Sequence, residues 1–165
     1  MQYSNIRQNL FVNCWHLGHH ESDAMWRIYC GREDGIAIAL PYSQLRDSIK
    51  AADTFIGKVE YIPYETGMLK RLGQFSPGMD KRQEFEYEHE ARVVQRRVIK
   101  SGSEQPVLSA QMPWDPETYI ERIVISPYSR PWYAELVKEI VGKVAPQLWG
   151  KVQPSAMSKP PSAPF

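Results

Sequence analysis

The chain has 165 residues, enough for one domain with a real core. Its net charge of +1 gives no basic field of the kind that favours nucleic acid, and 42% hydrophobic with 12% aromatic residues exclude a disordered chain. Two cysteines make no disulfide framework, no apolar run approaches the roughly 18 residues of a membrane span, and no signal peptide opens the chain. The expectation is a cytoplasmic protein with no membrane association.

Residues 1–10 are polar and aperiodic and read as a flexible leader. Residues 11–15 read as a short buried strand. Ser22 suits a helix N-cap and Asp23 the positive end of the dipole. Met25, Ile28 and Tyr29 then form one helical face, Trp26 is at least partly buried, and Gly31 is the stop. Residues 35–40 read as a strand in which Ile36 and Ile38 alternate with small Ala37 and Ala39. Ser43 opens a second helix with Leu45, Ile49 and Ala52 inward. Residues 55–62 read as one strand, with Val59 and Tyr61 facing away from Lys58 and Glu60.

A short basic helical piece is expected around 68–72. Residues 79–87 read as helix, 90–99 as strand and 100–106 as loop. A turn at 113–116 precedes a buried strand over 119–125. Residues 131–144 form an amphipathic helix with Pro131 at its start and Trp132, Leu136, Ile140 and Val144 on one side. The tail is ordered near Val152, and its Pro/Ser-rich end, 156–165, is loose. The sum is an α+β fold, a mixed and mainly antiparallel sheet with several packed helices, as a single domain over 11–155. No phosphate-binding glycine loop and no Gly-x-Ser-x-Gly elbow is present.

The densest chemistry lies at Glu84-Phe85-Glu86-Tyr87-Glu88-His89-Glu90-Ala91-Arg92. In a strand, Glu88, Glu90 and Arg92 share a face. Stacked carboxylates raise one another's pKa and the arginine lowers it, a mixture suited to acid–base work or to stabilising a developing cation. The same residues also suit an ion-paired surface, and both readings stay open. Lys81, Arg82, Arg92, Arg96 and Arg97 form a basic run able to contact phosphate. The loop with His16, His19, His20 and Glu21 matches no zinc spacing, so no metal is expected and His16 is assigned to a cleft. Cys14 reads as a small core residue. Trp15 and Trp26 are either core or stacking platforms.

Three blocks carry a resemblance. The first is Cys14-Trp15-His16, Glu21-Ser22, Met25-Trp26, Tyr29 and Gly35-Ile36-Ala37-Ile38. The second is Lys81, Phe85, Glu88, Glu90 and Arg92, and the third is Ile123-Val124-Ile125-Ser126-Pro127 followed by Trp132. In this order they resemble the signature of the bacterial domain-of-unknown-function family 2971, from about residue 11 onward. The resemblance implies a fold and a bacterial or phage-associated setting more than an activity. Members of that family carry a further N-terminal segment that these residues do not include.

By layout alone, an aromatic-polar strand and helix followed by a strand with Glu-x-Glu is similar to the ADP-ribosyltransferase toxins. That analogy implies a nucleotide-using transferase with NAD as substrate and a nucleotide or nucleic acid as target. Glu90, with Glu88 as second choice, would stabilise an oxocarbenium-like centre. Arg92 would orient Glu90, and His16 and Trp15 would contact substrate. The alternative is a non-catalytic binding or regulatory module in a defence or stress system, which the missing N-terminal segment favours.

Overall fold

Strands and short helices alternate along the chain, bounded by the Gly, Pro and Ser positions that the sequence marks. The computed structural model describes residues 9–65, 73, 75–97 and 109–160. The α+β class and the mainly antiparallel pairing are as expected. Among the described residues the strands form three sheets, two of three strands and one of two. Two compact units divide the chain: Met1–Gly18 with Ile49–Pro113, and His19–Ser48 with Trp114–Phe165. The leader over 1–8, the basic piece at 68–72, the strand end at Val98 and Ile99, the loop at 100–106 and the tail at 161–165 lie outside the described residues.

In the first unit, β6 (Glu90–Arg96) is the central strand, flanked by β1 (Leu10–His16) and β3 (Thr54–Lys58), both antiparallel to it. Ala91, Val93 and Val94 of β6 are buried, which suits a strand covered on both faces. The register sets His16 opposite Glu90 and Cys14 opposite Arg92, so those four share a face. Helix α3 (Ser76–Met79) lies on that face. It comes so close that a Cβ on Gly78 would stand 2.9 Å from Val94 Cγ1, which is why the position has no side chain.

The single strand expected over 55–62 is two. β3 ends at Lys58, Val59 donates its N–H to the Glu90 carbonyl at 2.9 Å, and β4 (Glu60–Ile62) then pairs in parallel with β5 (Asp80–Arg82). The alternation runs unbroken through the change of sheet, so period alone does not reveal it. The helix expected over 79–87 is replaced by β5 and a 3-10 turn, Gln83–Glu88. His89, at φ +42°, makes the left-handed step from that turn into β6.

In the second unit, helix α1 (Asp23–Cys30) begins as expected. The Ser22 hydroxyl accepts from the Met25 N–H at 3.4 Å, and the helix stops at Gly31 with φ +64°. Its inward residue is Trp26, 6% exposed, whereas Ile28 and Tyr29 face solvent. The expected inner face is therefore rotated. On an eight-residue helix one indole fills the contact, and its Nε1 donates to Glu21 Oε2 at 3.0 Å.

Helix α2 (Tyr42–Ser48) buries Leu45 and Ser48. It ends before Ile49 and Ala52, which leaves both outside the inner face assigned to them. Strand β7 (Arg122–Ile125) pairs antiparallel with β2 (Ile36–Ala39) and in parallel with β8 (Val152–Pro154). The expected start of β7 at 119 is taken by helix α4 (Pro116–Tyr119), because Asp115 caps it through the Glu117 and Thr118 N–H groups. Helix α5 (Pro131–Val144) packs through Val137, Tyr133, Ala134 and Val141 onto Ile120, Ile123, Ile125, Leu148 and Val152. The stripe expected to face inward, Trp132, Leu136, Ile140 and Val144, is exposed. The helix is apolar on two adjacent stripes, and periodicity does not say which one meets the sheet.

Candidate functional site

The cluster forms in the first unit where β5, the 3-10 turn and β6 meet. The turn ends at Glu88, and the left-handed step at His89 places Glu90 at the head of β6. Glu88 and Glu90 thus approach each other by a reversal of the backbone and not by strand alternation, as the sequence pattern suggested. Tyr61 of β4 anchors the strand start, its hydroxyl accepting from the Glu90 N–H at 2.8 Å.

Lys81 of β5 completes the site. Its Nζ donates to Glu88 Oε2 at 2.5 Å and to Glu90 Oε1 at 2.9 Å. Arg92 Nε donates to the other Glu90 oxygen, Oε2, at 2.6 Å, and its Nη1 to the Gly78 carbonyl at 2.8 Å. The side chains of Glu88 and Glu90 are 8% and 5% exposed. Two carboxylates therefore face two cations in a nearly dry place. The Lys81 ammonium also stands 4.9 Å from the Phe85 ring centroid.

Burial pushes the Glu90 carboxyl up, but the hydrogen bonds that Lys81 and Arg92 donate to it and the Arg92 charge outweigh it and hold it below its ordinary 4.5. Burial lowers Lys81, but its bonds to Glu88 and Glu90 hold it above its ordinary 10.5. Both groups stay charged at neutral pH. A carboxylate so stabilised is a weak base, and an ammonium so stabilised is no nucleophile.

The remaining candidates lie around this cluster. His16 is exposed, and its Nδ1 stands 2.7 Å from the Glu88 carbonyl. A carbonyl only accepts, so Nδ1 carries the proton. His16 therefore touches the Glu88 backbone and not a carboxylate. Trp15 pairs with Ala91 on the opposite face of the sheet, and its indole donates to Asn13 Oδ1. The structure thus gathers Glu88, Glu90 and Arg92, sets His16 at the edge and leaves Trp15 apart.

Cys14 is an exposed residue and not the core residue expected of it; it lies on β1, an edge strand of its sheet. Desolvation first, and then the Glu90 charge, lift its thiol above the ordinary 9.0 against the opposing pull of Arg92. It is held as a thiol and not as a reactive thiolate.

Lys81 and Tyr61 are the cluster members that sequence reasoning did not assign to it. Lys81 reads there as part of a phosphate-contacting run and, in the resemblance, of one block with Phe85, Glu88, Glu90 and Arg92, with no role in the chemistry of the glutamates. Its own pattern offers one signal, a lysine seven and nine residues before two glutamates, but only the turn at 83–88 makes that spacing a contact. Of the same run, Arg92 faces Glu90, Arg96 meets Asp53 at 2.9 Å and Arg82 lies over the Tyr64 ring.

The histidine loop does not converge either. Glu21 accepts from Trp26 Nε1 at 3.0 Å, Ser155 Oγ at 2.6 Å and the Ala156 N–H at 2.7 Å, which ties the approach to α1 to the C-terminal segment. Among the described residues no group of three His, Cys, Asp or Glu side chains is placed to hold a metal ion, and no helix is long and apolar enough to cross a membrane.

No family model matches the chain, and no curated protein or solved structure matches it.

Proposed function

We propose that the chain is a non-catalytic binding module related to domain-of-unknown-function family 2971, in which the Glu88–Lys81–Glu90–Arg92 cluster holds the first unit together. The observation that supports this reading is the commitment of Glu90, whose two oxygens each accept from a different cation, with 5% of the side chain exposed. An ADP-ribosyl transfer needs a carboxylate turned toward a bound ribose, and a carboxylate engaged on both oxygens is a poor candidate for that role.

The test is to incubate the purified chain with labelled NAD and candidate protein and nucleic-acid acceptors, and to follow growth on expression. The module reading expects neither label transfer nor toxicity. Transfer by the wild type that Glu90→Gln abolishes, with the melting temperature unchanged, contradicts it. That outcome favours the transferase in which Glu90, Glu88 and Arg92 act on NAD and His16 and Trp15 meet the substrate.

A further inference from the structure

We draw no further inference here: the strongest candidate, the exposed side-chain cluster on the 3-10 turn Gln83–Glu88, where the rings of Phe85 and Tyr87 stand 6.4 Å apart beside the acidic Glu84 and Glu86, carries nothing because nothing in the structure shows what covers it.

Discussion

Lys81 Nζ and Glu90 Oε1, nine residues apart in sequence, lie 2.9 Å apart in the fold. The contact joins the β4–β5 ribbon to the head of the central strand β6. Lys81 reaches Glu88 at the same time, so one ammonium holds the two ends of the turn that brings the chain back. Replacing it with methionine keeps the length and removes the charge, leaving two nearly buried carboxylates with Arg92 alone. Lys81→Met is expected to cost about 3–5 kcal/mol, as when one partner of a buried pair is removed. Urea unfolding of both proteins measures it. A loss under about 1 kcal/mol, the scale of an exposed pair, counts against the assignment.

The pH dependence follows from the same contacts. Glu90 is held below 4.5 in the fold, so below that pH the unfolded chain binds more protons than the folded one. Its contribution is fully present above pH 4.5 and is lost as the pH falls through the lower folded value. Lys81 is held above 10.5, so its contribution is present below that pH and is lost as the pH rises past it. Urea midpoints from pH 7 to pH 3 should fall less steeply for Glu90→Gln than for the wild type. Parallel curves argue that Glu90 carries no linkage.

Gly78 is a packing requirement. A Cβ there would meet Val94 Cγ1 at 2.9 Å and Cγ2 at 3.3 Å, and Val94 is fully buried in the central strand with no room to retreat. Gly78→Ala should destabilise by about 1–3 kcal/mol, the usual effect of overpacking. Gly150→Ala, where a Cβ meets nothing within 4 Å, is the control and should be close to neutral. Equal melting temperatures for the two variants contradict the close approach of α3 to β6.

Trp26 tests the second unit. It is buried and bonded to Glu21, which also receives Ser155 and the Ala156 N–H. Trp26→Ala should cost about 3–5 kcal/mol. Trp26→Phe keeps most of the packing and leaves Glu21 short of one donor, so it should cost about 1–3 kcal/mol. Thermal unfolding of both distinguishes packing from hydrogen bonding, and an unchanged melting curve for Trp26→Ala removes it from the core.

Much of the fold was legible because certain residues act locally. Ser22 and Gly31 bracket α1 through a hydroxyl cap and a left-handed step, and Pro131 opens α5. The misread places are those where the decision is tertiary. Val59 continues an alternating pattern while the chain changes sheets, and only its bond to the Glu90 carbonyl marks the change. On α5 two apolar stripes compete, and the sheet selects the one with Val137. At the candidate site the pairing of Glu90 with Arg92 two residues on was readable from strand spacing, whereas Glu88 and Lys81 arrive through a turn whose left-handed residue, His89, is neither glycine nor asparagine.

The central claim is that the Glu90 carboxylate serves the fold. The most direct measurement is the unfolding free energy of Glu90→Gln beside the wild type at neutral pH, where the charge is present. The substitution keeps shape and leaves Lys81 and Arg92 facing a neutral amide. The account predicts a loss of about 3–5 kcal/mol. Equal or greater stability, the sign of a charge held in place for chemistry at the expense of the fold, contradicts it.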